Sequence, residues 1–127
     1  MRDLIVSVTI VLSLIGGWLI FDNYSSANIE KMTNLIYSDI IPSVESENWD
    51  ESKEKMQKLG SYWDKYKNKA LFFLNNEEIS EIDYSIVKTY KYVKAEDVSN
   101  ASGELCSIAE QMVFLYQKEK ITPENIF

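Results

Sequence analysis

Histidine is absent from this 127-residue chain, arginine occurs once, at Arg2, and cysteine once, at Cys106. Each scarcity removes a class of chemistry. Without histidine the chain lacks the usual general base near neutral pH and the commonest metal ligand. Its single arginine lies at the second residue, so the remainder has no bidentate clamp for phosphate or carboxylate groups. A lone thiol cannot close an internal disulfide, and Cys106 has no cysteine or histidine at metal-ligand spacing; it is expected to be a small residue at the edge of the core. With no nucleophile-and-base pair, phosphate loop or metal set in view, an enzyme is not expected, and neither is a cofactor.

Positive charge is also in short supply, at 13 basic against 20 acidic residues. Setting aside Arg2 and Asp3 leaves 19 acids against 12 lysines, a net of -7 for everything beyond Leu4. That balance disfavours nucleic acid or an anionic lipid surface as the main partner, since both would repel it.

Charge is missing altogether from Leu4 to Phe21, an 18-residue run that as a helix spans about 27 Å and matches a bilayer's hydrocarbon core. We expect residues 1–21 to be a signal-anchor, with Trp18 and Tyr24 in the interfacial belt, and residues 22–127 to be one domain. The alternative is secretion after cleavage following Ala27, because Ser25-Ser26-Ala27 places small residues where signal peptidase accepts them. Arg2 before the run and Asp22 after it favour a cytoplasmic N-terminus and an extracytoplasmic domain. Within the run Thr9, Ser13 and Gly17 recur every four residues with Gly16 beside them, a small-residue face on which a second membrane helix packs closely. The plain alternative is that the hydroxyls bond their own helix.

Beyond the run, apolar residues recur at helical spacing in four stripes. Ile29, Met32, Ile36 and Ile40 predict a helix from about Tyr24 to Ile41, open to continuity with the anchor. Pro42 is expected to kink or end it, with polar chain from Ser43 and a turn near Glu47. Trp49, Ser52, Met56, Leu59, Trp63, Tyr66, Ala70 and Leu74 predict the second helix, capped from Asn48 or Asp50. Ile79, Ile82, Ile86, Tyr90 and Val93 mark the third, and Val98, Ala101, Leu105, Ile108, Met112 and Leu115 the fourth. The second stripe recurs in the fourth 49 residues on, and the first in the third 50 residues on, as Ile29 with Ile79 and Ile40 with Tyr90. The expected fold is therefore all-α: a transmembrane helix followed by a four-helix bundle of two antiparallel helical hairpins. The ending, Thr122-Pro123-Glu124-Asn125-Ile126-Phe127, adds a short apolar tail.

Asn48-Trp49-Asp50-Glu51 opening a long helix, Trp63 along it, Glu77-Glu78-Ile79 opening the next, and Glu119-Lys120-Ile121 through Asn125-Ile126-Phe127 carry a resemblance. With the hydrophobic N-terminus they make the chain look like the domain-of-unknown-function family 4363, small membrane-anchored proteins of clostridia and related spore-forming bacteria. The resemblance implies a membrane-bound helical protein of uncharacterised function and carries over no catalytic or binding residue. Where such proteins often have a histidine before the acidic pair, this chain has Asn76.

The acidic groups from Glu45 to Glu54 and from Glu77 to Asp83 lack the spaced oxygens and glycine of a calcium loop and read as acids at helix N-termini. Tyr62, Tyr84 and Tyr92 lie off the apolar stripes and, with Ile126 and Phe127, are the candidate partner contacts. The expected function is an interaction module, an accessory or scaffold subunit for another membrane or envelope protein, with a membrane-protein partner or a homo-oligomer. The alternative is an extracytoplasmic sensor or carrier holding a small apolar ligand in the bundle.

Overall fold

Among the described residues two short breaks interrupt the helical stripes, and each turns on a glutamate held where side chains resist being placed. Glu47 has φ 59° and Glu96 φ 57° in the computed structural model, which describes residues 1–71 and 76–119. In both breaks the closing hydrogen bonds are the same. The amide of Asn48 donates to the Ser43 carbonyl and that of Glu47 to Val44; the amide of Asp97 donates to the Tyr92 carbonyl and that of Glu96 to Val93. This is the Schellman closure, with glutamate in the left-handed position that glycine usually fills. The next residue caps the following helix: Asn48 Oδ1 accepts from the Glu51 amide, and Asp97 Oδ1 accepts from the Asn100 amide. The Asn100 side chain, donating to Asp97 Oδ2, and the Asn100 amide together hold the Asp97 carboxyl below its ordinary pKa.

Outside these turns the described residues are almost wholly helical, and they contain no strand. α1 (Arg2–Asn34), a π-helical turn (Leu35–Ile40) and α2 (Ile41–Glu45) run on without a break as a 44-residue helix, Arg2–Glu45, about 66 Å long. Among the described residues it is the one helix long and apolar enough to cross a membrane; its most apolar window has mean hydropathy 2.5 and is 6% buried. α3 (Trp49–Ala70), α4 (Asn76–Lys94) and α5 (Val98–Glu119) complete the fold. The long helix packs on α3 and α5, and α4 packs on α3 and α5, so the order around the core is long helix, α3, α4, α5. Side-chain pairs fix the directions. Ser25 meets Tyr66 and Ser43 meets Ser52, so α3 runs back along the long helix; Trp63 meets Asp83 and Gln57 meets Tyr90, so α4 reverses again. Lys88 meets Glu104 across the last reversal.

Pro42 neither ends nor sharply breaks the helix, and the chain leaves helical geometry only at Ser46. A proline has no amide proton and crowds the preceding turn. The π turn just before it widens the backbone, and the Ile41 amide reaches back five residues to the Ile36 carbonyl. The same turn resolves the uneven repeat. Buried Ile29, Met32, Leu35 and Ile36 correspond at an offset of 50 to buried Ile79, Ile82, Ser85 and Ile86, whereas buried Ile40 and Val44 correspond at 49 to buried Thr89 and Val93. The first half thus holds one residue more than the second, and the extra residue sits in Leu35–Ile40. Ile40 pairs in burial with Thr89, not with the half-buried Tyr90 expected from spacing.

Burial begins at Phe21, inside the segment assigned to the anchor, and continues through Ser25 and Ile29. Cys106, expected at a core edge, is exposed, because Leu105, Ile108 and Ala109 take the inward face and Cys106 lies about 100° round from Leu105. Leu74 lies outside the described residues.

Deleting exposed Ser38 should convert the π turn towards a regular turn and leave both flanking stripes on the core, costing about 1–2 kcal/mol. Deleting Asn28 should rotate everything beyond it by about 100° and abolish cooperative unfolding in a denaturant titration. Glu47→Gly and Glu96→Gly should each raise the unfolding free energy by about 0.5–1 kcal/mol, read as a higher denaturation midpoint at unchanged slope, since the left-handed strain relieved exceeds the unfolded-state entropy added.

Candidate functional site

Three features stand out from the bland helical surface. The first is an aromatic collar where the long helix enters the core. Trp18, Phe21 and Tyr24 recur at three-residue spacing on α1; Trp18 meets Phe21, and Phe21 and Tyr24 meet Tyr66 of α3, which Trp63 flanks. Phe21 and Tyr24 stack on Tyr66 with ring centroids 6.4 and 6.0 Å apart, and Trp63 lies tilted to it at 5.7 Å. Tyr66 is fully buried and its hydroxyl shares a hydrogen bond with Ser25. Burial pushes the Tyr66 phenol up to about 12, against the lowering effect of the Ser25 bond. The Trp63 indole donates to Asp83 of α4, and Lys67 Nζ stands 3.3 Å from both oxygens of the same carboxylate. The collar therefore joins three of the four helices.

The second feature is a basic stripe on α3. Lys55, Lys58, Tyr62, Lys65 and Lys69 follow one another at intervals of three and four residues, which places them on one face. Lys31 of α1 lies with its Nζ 3.9 Å above the Tyr62 ring, Lys58 reaches the same ring at 5.7 Å, and Lys69 lies 5.2 Å from the Tyr24 ring. Such cation–π contacts hold the lysine heads over aromatic faces.

The third is the outer face of α4 and α5, where Tyr84, Val87 and Phe114 are 68%, 57% and 60% exposed. A cleft of about 80 Å³ beside them is lined by Glu78, Glu81, Ile82, Gln111, Phe114 and Leu115. It has room for a few water molecules, well below the roughly 300–1,000 Å³ of a small-molecule pocket.

The residues singled out in the sequence fall in different places. The hydroxyls of Thr9 and Ser13 donate to the carbonyls of Ile5 and Thr9 at 2.8 Å, so they serve their own helix. Gly16 and Gly17 lie on the same apolar segment with open space where a Cβ would stand. Tyr62 and Tyr92 are half-buried edges of the core, and Tyr84 is exposed. Ile126 and Phe127 lie outside the described residues. Sequence reasoning missed the lysine stripe because periodicity was counted on apolar residues alone; the same count on lysines finds it. Among the described residues no three acidic, cysteine or histidine side chains are placed to hold a metal ion.

Tyr66 generates a pH prediction. Its folded pKa is raised above the unfolded value near 10, so the stability it confers is complete below pH 10 and is lost as pH climbs through 12. Alkaline titration should show one tyrosine ionising only with loss of structure. Tyr66→Phe should remove up to about 3 kcal/mol of that alkaline sensitivity, at a neutral-pH cost of about 1 kcal/mol from the unpaired Ser25 hydroxyl.

The chain matches no curated protein and no solved structure significantly. A family does match, and its match covers residues 19–126, from the aromatic collar through the core helices and beyond, leaving out most of the apolar segment. The chain therefore belongs to the family described as Domain of unknown function (DUF4363).

Proposed function

We propose that this chain is a single-pass anchored four-helix bundle of two antiparallel hairpins that acts as an accessory or scaffold module for membrane or envelope proteins. The observation that carries the reading is the long helix: residues 4–20 are exposed apart from half-buried Gly16 and Trp18, and the same helix then enters the core at Phe21. An exposed apolar surface of that length is stable only when lipid or another apolar phase covers it. Anchoring is favoured over secretion because a cut after Ala27 would remove Phe21 and Ser25, and with them the packing on Tyr66 and its hydrogen bond. Arg2 before the span and Asp22 after it favour an external bundle. The ligand-carrier reading has less support: the narrow α4–α5 cleft is small, and the adjoining groove of about 560 Å³ lined by Glu77, Ser80, Glu81, Tyr84, Ser85 and Gln111 lies open on the surface.

Topology is testable on the native thiol. Cys106 is exposed, so an impermeant maleimide should label it on intact cells, with Cys106→Ser as the control. Labelling only after lysis would place the bundle inside. Gly17→Leu in the span, or removal of residues 121–127, should reduce recovery of co-purifying membrane proteins several-fold; recovery equal to that of the unaltered chain would count against the module reading.

A further inference from the structure

The net charge of -7 is not spread evenly. On the face shared by α1 and α3, Asp39 lies 3.8 Å from Lys55. Lys31, Lys58, Lys65 and Lys69, all exposed, have no carboxylate among the described residues within 4.0 Å; exposed Glu51 and Glu54 lie towards the Asn48 end of α3, and towards its Tyr66 end Lys65 and Lys69 set the sign of that face. The face made by α4 and α5 lies across the core, because each of these helices is flanked by one helix of the other pair. There Glu77 and Glu81 are exposed beside Tyr84 and Phe114. Lys88 is paired with Glu104, and Lys91 and Lys94 sit at the far end of α4.

The heights agree. The Trp63–Asp83 contact sets the antiparallel register of α3 against α4, and in that register Lys65 lies level with Glu81 and Lys69 level with Glu77. A basic face and an acidic, partly apolar face thus occupy the same level on opposite sides of the bundle. Two copies anchored in one membrane stand upright at one height, so a sideways translation brings the basic face of one against the acidic face of the next.

We infer that the chain self-associates laterally in the membrane, the α1/α3 face of one copy docking on the α4/α5 face of its neighbour. Lys65 and Lys69 then meet Glu81 and Glu77, while Phe114 and Tyr84 cover Tyr62 and the lysine stems. The contact is heterologous: each added copy leaves one face of each kind free, so association builds rows rather than closed two-fold pairs. The inference rests on the anchored module proposed above, because only anchoring holds the copies parallel and level.

The test uses the full chain in phosphatidylcholine vesicles, in a C106S background, with a short bismaleimide. K65C in one tagged copy should cross-link to E81C in another, with little K65C–K65C or E81C–E81C product. K69E in the first copy, or E77K in the second, should lower the cross-linked fraction about tenfold, and the two reversals together should restore it. Raising the salt concentration should lower the yield as well. Predominance of like-with-like products, or yields indifferent to charge reversal, would overturn lateral docking. If self-cross-linking fails while the same chain still recovers a different membrane protein, the docking inference falls and the module reading stands. If the chain does not insert in vesicles at all, both fall.

Discussion

One helix that does not stop where the core begins is the constraint from which the rest of this structure follows. α1 passes from an exposed apolar segment to a buried stripe with no loop or proline at the junction, staying helical through Gly16 and Gly17, and Phe21 and Ser25 are already core residues. The returning helices must therefore pack against a rod whose position is given. α3 closes on it through Tyr66, the buried aromatic that touches Phe21, Tyr24, Ser25 and Trp63. α4 is then tied to α3 by the Trp63 indole and Lys67 converging on Asp83. The antiparallel order brings the C-termini of α3 and α5 and the N-terminus of α4 back to the Phe21 end.

Much of this was legible beforehand, and the reasons differ by element. The four stripes were readable because burial on a helix repeats every 3.6 residues and these helices each show one apolar face. The turn at Glu47 was readable from the loss of periodicity, and family membership from Asn48-Trp49-Asp50-Glu51 and the residues around it. Cys106 was misplaced because its neighbours, not its own polarity, decide which way position 106 faces. Ser25 and Thr89, both buried, went unnoticed because a small hydroxyl enters a core without an apolar signature: one shares a hydrogen bond with Tyr66, and the other donates to the Ser85 carbonyl. The candidate sites were less legible than the fold. A surface face is defined by which helices become neighbours, and one sequence does not state that order.

The two halves solve one problem twice with different chemistry. Each hairpin turns through a left-handed glutamate and starts its second helix with a polar cap, Asn48 with Glu51 in one and Asp97 with Asn100 in the other. The shared hydrogen-bond pattern marks a common geometric solution, while the exchanged side chains show that amide and carboxylate serve it in either order. Where the halves differ, at Leu35–Ile40, the helix itself takes up the extra residue, so the core around it keeps a single register.

The unbroken rod also makes orientation a matter of counting. Successive residues on a helix are separated by about 100° of rotation, so the compass bearing of Gly17 relative to the lysines of the α1/α3 face is set by the number of residues between the apolar segment and Phe21. Lengthening that interval by one residue would raise the bundle by only about 1.5 Å yet swing it more than a quarter of the way round. For a protein whose two marked faces ride on one shaft, segment length is a dial before it is a ruler.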